Sequence, residues 1–570
     1  MANLNRRKFL GNAASTLLEE KDSPKQFEYK DPSNKTLPRG LSKTSTTTAQ
    51  YTGVWGETQM AHLLRRTMFG ATKSDIDFFK TKNMRDSVDY LLNVPTTAPT
   101  PPLNHYTTAT VLDPNVPLGE TWVNANEDGA LSGYRRQSLK AWWIGLQLNQ
   151  ERNIREKMTM FWHNLFATES VVIQYSKFFY NHHALLRANC FGNLKNLVRM
   201  ITIDPAMLIY LNGYKNTKTA PDENYSRELQ ELFTIGTDLA NHYTEDDVKQ
   251  AARVLTGWRI NTTNYTSYFD INTHDTGNKQ FSSFYGNTQV TGRTGSTAGD
   301  LELDDMLSMI FSNQEASKFI CRKIYRFFVY YLIDSTVETN IIAPLATILR
   351  NNNYDIKPVI NTLLKSEHFF DVLNMGCMIK SPTDFIVGLS RQMNLQFPPA
   401  SNITTQYNHY LYAEYYSTLL GQDLGDPPNV AGWPAYYQEP QFYELWINSD
   451  SLPKRNLFCD SLLYVGYNRN SYKLIFDCVT FANQFSDPSD PNKLVDEMLK
   501  IFYAIDVSSS TKAMLKTSFL LSGQLSDSYW TTAWNDYKAS PTDTAKKATV
   551  NTRLQGILKY IMGQAEFQLC

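Results

Sequence analysis

The stretch from Pro221 to Trp258, PDENYSRELQELFTIGTDLANHYTEDDVKQAARVLTGW, constrains this chain more than any other. At the helical period, Tyr225, Leu229, Leu232 and Phe233 fall on one side, and Arg227, Glu228 and Glu231 on the other. That pattern predicts an amphipathic helix. Gly236 follows the last apolar residues, where a helix takes a left-handed stop. Thr244-Glu245-Asp246-Asp247 is a capping-box pattern with Asp in place of the usual Glu or Gln. It opens a second helix whose stripe is Val248, Ala251, Ala252 and Leu255; Gly257 closes it and Trp258 packs back on the pair. Two readings of the charged face stay open. Arg227 and Glu231, spaced i,i+4, suit a surface ion pair worth about 0.2–0.5 kcal/mol. Alternatively, Glu223, Arg227, Glu228, Glu231 and Arg253 form a partly buried network that lines a cleft beside Asn224 and Tyr225.

The rest of the chain reads as helical scaffold. With 570 residues there is room for one very large domain or two to three ordinary ones. Helices are predicted over 57–69, 134–148, 153–166 and 178–200, and again from 301 through most of the remainder. On the 153–166 helix, Ile154, Met158, Phe161, Trp162 and Leu165 form one stripe, while Glu156 and His163 share another face two turns apart. Residues 259–300 lose the helical period and read as a loop with one hairpin, carrying His274, Asp275 and Lys279. The expected fold is mainly α: a large irregular multi-helix bundle with long loops and at most a small β-hairpin insertion. Residues 1–50 read as a leader and disordered linker, with structure starting near Trp55. Residues 51–300 read as an N-terminal helical region holding the motifs, and 301–570 as a C-terminal helical region packed with it as one unit.

Composition excludes some functions. The 55 basic and 56 acidic residues leave a net charge of -1, which argues against nucleic acid or an anionic membrane surface as partner. Six cysteines are scattered without a zinc spacing. Asn5-Arg6-Arg7-Lys8-Phe9-Leu10 looks like a twin-arginine export signal, although Glu19-Glu20-Lys21-Asp22 ends its apolar run early. The expected location is therefore periplasmic or extracellular. No run is long enough to span a membrane. Walker, G-x-G-x-x-G, G-x-S-x-G and H-E-x-x-H patterns are absent. Glu228 and Glu231, at i,i+3, would offer carboxylate oxygens to a metal if His163, His274 or Asp275 came near, a donor set suited to Mn, Fe or Zn.

Several separate stretches resemble one family, the large bacterial family known as domain of unknown function 1800. They are His62-Leu-Leu-Arg-Arg66 with Phe69-Gly70; Arg155-Glu-Lys-Met158 with Phe161-Trp-His-Asn164; Pro205-Ala-Met-Leu208; and Glu223-Asn-Tyr-Ser-Arg-Glu228 with Glu231 to Gly236. The series continues with Tyr243 to Val248, Arg253, Thr256-Gly-Trp258, His274-Asp275, Lys279, Lys380-Ser-Pro382, Pro427 to Trp433 and Trp446-Ile-Asn448. Asp222 stands where the family usually shows Asn, and Ala431 where it often shows Lys. The resemblance implies a mainly helical, exported bacterial protein, often encoded near an alkaline-phosphatase-superfamily-like partner. It implies no activity.

Two functions are expected from these residues. One is an exported hydrolase or oxidase working by metal or acid/base chemistry. There His163 or His274 acts as general base, Glu228 and Asp275 as acid or metal ligand, and Arg227 or Arg253 holds an anionic substrate group. Substrate would also meet His62, Arg66, Asn164, Glu223, Asn224, Lys279 and Asn429; Glu228, Glu231 and His163 would hold the metal. The other is a non-enzymatic binding or assembly protein at the cell surface, whose polar network only stiffens helix packing. Both require these distant groups to meet in one place.

Overall fold

Short polar side chains decide where the helices begin. Thr72, Asn83, Asp204, Thr244 and Ser381 each accept the backbone N–H three residues on, satisfying a donor that the first turn leaves without a partner. The computed structural model describes residues 45–237 and 242–570; the twin-arginine-like leader lies outside them. Helices hold 56% and strands 5%, so the fold is mainly α.

The helices that position the functional residues are α1 (Glu57–Thr67), α2 (Ser132–Leu148), α3 (Arg155–Leu165), α4 (Ser176–Ala188), α5 (Glu245–Val254) and α6 (Ala298–Ser312). They continue with α7 (Gln314–Phe328), α8 (Pro382–Gln392), α9 (Ile403–Leu419), α10 (Ser451–Asp460) and α11 (Thr544–Gly563). α2 packs along α9, and α3 on α4. Gly145 makes the first pairing close, since a Cβ there would stand 2.7 Å from the Tyr410 ring. Trp122, Trp143, Trp162, Trp433 and Trp530 are among the largest fully buried side chains. Burying one such side chain is worth several kcal/mol on the scale of ~25 cal/mol per Å².

Among the described residues the strands form three two-stranded antiparallel hairpins. β1 (Trp258–Asn261) pairs with β2 (Thr266–Phe269) in the register Trp258 to Phe269, and β3 (Lys279–Gln280) with β4 (Gln289–Val290). Both lie in the segment expected to hold one hairpin. β5 (Tyr467–Arg469) and β6 (Tyr472–Leu474) form an unexpected third.

Three further expectations need correction. The first helix of the organising stretch is α-helical only over Asn224–Glu228. It then widens to a π-helix over Leu229–Thr234, with the Ile235 N–H reaching the Gln230 carbonyl at 2.9 Å. The wider turn carries Gln230 inside, where its amide bonds Ser226 O (3.1 Å) and the Tyr285 hydroxyl (2.8 Å). Trp258 is buried, opens β1 and packs on Phe269 at 5.6 Å. The helix expected over 178–200 is two helices, because Asn193 caps a new start at Leu194. Order also begins before Trp55, since Ser45 and Tyr51 bond Asp371 and Lys365 across the fold. By contrast, the Thr244–Asp247 capping box forms as read, and Gly236 takes φ 84°.

Gly432 fixes the loop that follows α9. It sits at φ 86°, and a Cβ there would stand 2.4 Å from the Asn164 carbonyl oxygen. Gly432→Ala combines left-handed strain with a backbone clash. It is expected to destabilise the fold by at least ~2 kcal/mol, read as a lower urea midpoint at unchanged slope.

Candidate functional site

The polar residues singled out from sequence occupy three separate places. The first is the outer edge of the organising helices. There Arg227 pairs with Glu245 at 2.6 and 2.9 Å and with Glu223 at 3.3 Å, and not with Glu231. All three side chains are partly exposed, so these pairs contribute about 0–1 kcal/mol each. Asn224 bonds the Leu211 carbonyl at 3.2 Å, and Glu228 and Glu231 are half-buried on the same helix.

The second place is a sealed pin. Arg253 grips Asp275 at 2.7 and 3.2 Å. Burial pushes the Asp275 carboxyl up, but Arg253, the Gly277 N–H and Lys279 together hold it below its ordinary value. His274 is occupied on both ring nitrogens, Nδ1 at 2.8 Å from Thr256 O and Nε2 at 3.2 Å from Glu302 Oε1. Lys279 reaches the Asp275 carbonyl and Glu302 Oε2, the latter at 2.5 Å. The Arg293 N–H closes the set at 2.6 Å from Glu302 Oε1. The side chains of His274, Lys279 and Glu302 are fully enclosed. Against the push of burial, Glu302 is held low by these three donors; burial pulls Lys279 below its usual range. No ring nitrogen faces solvent, so His274 is not placed to act as general base. The group ties the 259–300 segment to α6. Glu302 was not picked out from sequence, although a carboxylate beside Leu303 and in line with Met306 on a buried helix was a usable signal.

His163 marks a further correction. It is buried between Trp143 (5.0 Å) and Trp433 (5.5 Å), and its Nε2 is buried without a partner. Burial first, then the neighbouring His182, pulls it down to about 3. It does not join Glu228 and Glu231: among the described residues no group of three or more His, Cys, Asp or Glu side chains is placed to hold a metal ion. The reason is location, since the imidazole is caged by aromatic rings while the carboxylates lie along a partly exposed edge.

The third place is a crevice, and it collects residues from both ends of the chain. Two narrow lobes of about 30 and 20 Å³ share Arg326, Phe327 and Tyr436. Arg65 and Arg66 enter from α1, Lys157 and Asn164 from α3, and Lys323 and Arg326 from α7. Asp384 is the one acidic side chain in either lining. It pairs with Lys157 and accepts from Ser381 Oγ at 2.9 Å. Ala431 and Tyr437 form a wall from the loop after α9. Asn164 accepts the Trp433 N–H at 3.0 Å, and Asn429 donates to the Tyr437 hydroxyl at 2.8 Å, so both shape this wall.

The cations behind the crevice are held by backbone, not by acids. Arg65 donates to the carbonyls of Lys500, Ile501 and Tyr503 at 2.7–3.0 Å. Arg66 reaches Asn374 O at 3.3 Å and the sulfurs of Cys377 and Cys570 at 3.4 and 3.7 Å, with Nε unpartnered. Lys380 donates to Phe567 O at 2.5 Å, and Arg455 to Lys380 O at 2.9 Å. Among the described residues none of these four makes an ion pair. Burial lowers Lys380 to about 7, and Arg65 and Arg455 to about 10. His62, one turn before Arg66, bonds Phe369 O at 3.0 Å and is fully buried, which pulls its imidazole well below the ordinary value. Of the residues named from sequence, only Arg66 and Asn164 reach the crevice directly. Arg65, Lys157, Lys323, Arg326 and Lys380 were missed, although Arg65, Lys157 and Lys380 stand inside motifs already recognised.

The chain is a mainly helical protein with a cation-rich, aromatic-walled crevice assembled from α1, α3, α7, α8, the loop after α9 and Cys570. Residues 62–569 match the model of the family described as "Protein of unknown function (DUF1800)", and the chain belongs to that family. Searches of curated proteins and of solved structures gave no match.

Two outcomes separate pin from edge. Glu302→Ala strands Lys279 in the interior and is expected to cost about 3–5 kcal/mol, whereas Arg227→Ala is expected to cost at most about 1 kcal/mol, both read by chemical denaturation. Lys380 sets a pH dependence. Unfolded, it keeps its proton to near 10.5; folded, it loses it near 7. Between these values the unfolded chain binds the extra proton, so this group makes stability rise with pH. The difference in unfolding midpoint between wild type and Lys380→Met is therefore expected to shift in favour of wild type from pH 7 to pH 10.

Proposed function

We propose that this chain is an exported binding protein that holds a small oxyanion, or the anionic end of a larger molecule, in the crevice between α1, α3, α7 and the start of α8. The carrying observation is charge. Arg65, Arg66, Lys157, Lys323 and Arg326 surround the two lobes against Asp384, and Lys380 and Arg455 lie directly behind. Lys157 is paired with Asp384 and Arg326 lies 3.8 Å from Glu439, but Arg65 and Arg455 are buried with no ion pair among the described residues, and desolvating such cations is unfavourable by several kcal/mol per ion. A bound anion would offset it, and the guanidinium groups provide the donors. The tyrosine and tryptophan walls, Tyr331, Tyr436, Tyr443 and Trp446, would shield such a pairing from water and strengthen it. Under this reading the Glu302 pin is structural, and the protein acts by binding. The twin-arginine-like leader supports export.

The test is a thermal melt with phosphate titrated against chloride at constant ionic strength. Wild type is expected to show a saturable rise in Tm, approaching about 2.7 kcal/mol of stabilisation at a hundredfold excess over Kd. Arg326→Gln and Lys323→Gln, both at partly exposed positions, are expected to need at least tenfold more phosphate for the same rise. No saturable rise in wild type, or one unchanged in both variants, would overturn the proposal.

A further inference from the structure

On another face, a long groove runs between the Asn126–Gly133 segment, the Val171–Tyr175 segment, the turn of the β1–β2 hairpin and the side of α9. Its two lobes, of about 790 and 630 Å³, share Gly133, Arg136 and Val171. The lining chemistry differs from that of the crevice. Carboxylates outnumber cations, with Glu127, Glu414, Asp423 and Asp426 against Arg136 and Lys140.

Tyrosine rings stand along it. Tyr134 is 39% exposed and Tyr415 56%, and both line the second lobe. Tyr134 is braced from behind. Its ring stacks on Tyr106 at 5.8 Å, and Tyr106 is fixed through its hydroxyl to Asp113 (2.8 Å), itself gripped by buried Arg135 (2.9 Å). Tyr265 lines the first lobe at φ 58°, a conformation that costs a non-glycine residue about 1–3 kcal/mol. The Glu127 N–H on its hydroxyl (2.7 Å) and the Lys177 ammonium on its ring (3.8 Å) hold it there. Gln174, in the same lobe, is also at positive φ, 64°. Arg136 spans the junction, bonding Ser132 Oγ at 3.2 Å and Gln174 O at 3.0 Å.

At the far end Lys140 gathers three carboxyl groups. Asp426 lies 2.7 Å away and Glu414 3.9 Å, with Asp423 in direct contact. Thr418 Oγ1 donates to Glu414 at 2.9 Å, and Ser170 Oγ to Asp426 at 2.8 Å.

We propose that this groove binds an extended, uncharged sugar chain, with Tyr134 and Tyr415 as stacking platforms and the Lys140–Glu414–Asp423–Asp426 group anchoring the sugar hydroxyls. Sugar rings carry an apolar C–H face and a polar rim. Tyrosine offers a flat apolar face with a polar tip, and carboxylates and amides accept and donate to hydroxyl pairs. Burial, and then Asp423 beside it, raise the Glu414 carboxyl to about 7, while Asp426 is held low by Lys140 and Ser170 against the push of burial. Near neutral pH the two carboxyls thus present different mixtures of donor and acceptor. An anionic chain is disfavoured by the surplus of carboxylates, and a polycation by Arg136 at the junction and Lys140 at the far end. The proposal is independent of the anion site.

The experiment is isothermal titration of the full chain with cellohexaose, laminarihexaose, maltohexaose and mannohexaose, and with a tetragalacturonate as charged control. At least one neutral hexasaccharide is expected to bind, with Tyr415→Ala and Glu414→Gln each weakening it tenfold or more. The phosphate-dependent rise in Tm should not change in either variant. Failure of all four neutral chains, equal affinity in both variants, or stronger binding of the galacturonate would overturn it.

Discussion

Buried cations satisfied by backbone carbonyls are the constraint on which this molecule depends. Arg65, Arg66, Lys380 and Arg455 come from segments far apart in sequence, and each donates to a backbone carbonyl of another segment, in a loop, a short 3-10 turn or the last turn of a helix. Carbonyls in loops and at helix ends lack ladder partners, and a guanidinium or ammonium that reaches them supplies one. The antiparallel bridge between Ile379 and Leu569 shows the consequence. The last residues of the chain are laid beside the entrance to α8, and Arg66 of α1 bonds the sulfur of Cys570. Helix packing alone would not specify this closure, because apolar stripes tolerate rotation. Directional donors do not.

That arrangement also explains how much was legible in sequence. Features set by neighbours along the chain were readable: the capping box at Thr244, the left-handed Gly236, and the core stripe of Val248, Ala251 and Ala252. Features set by distant partners were not. Gln230 turns inward because Tyr285 waits for it 55 residues later, and the π-helix that allows this leaves no signature in a periodicity count. His274 and Asp275 looked catalytic because charged residues stood beside a histidine. Their environment depends on Glu302, which closes the group from a different helix. His163 was expected as a base or metal ligand, yet its neighbours are aromatic rings, which no spacing of carboxylates could show.

The loop after α9 links the two candidate sites. Asp423 and Asp426 face the groove beside Lys140, and Ala431 to Tyr437 wall the crevice. Between them Trp433 packs on His163, and Gly432 lets the chain pass within contact of Asn164. A neutral, buried imidazole and a glycine are what a loop needs there to run through the core without stranding charge. Opposite charge balance at the two ends follows from which helices they meet: basic α1 and α7 on one side, and the tyrosine-rich α9 on the other.

The central claim is that the positive charge gathered around the crevice calls for an anion. Crystals soaked in selenate test it directly, because selenium reports its position by anomalous scattering. An anomalous peak within hydrogen-bonding distance of Arg66, Lys157 or Arg326 is the expected result. Selenate bound only at the outer surface, with the crevice holding none, would contradict the account.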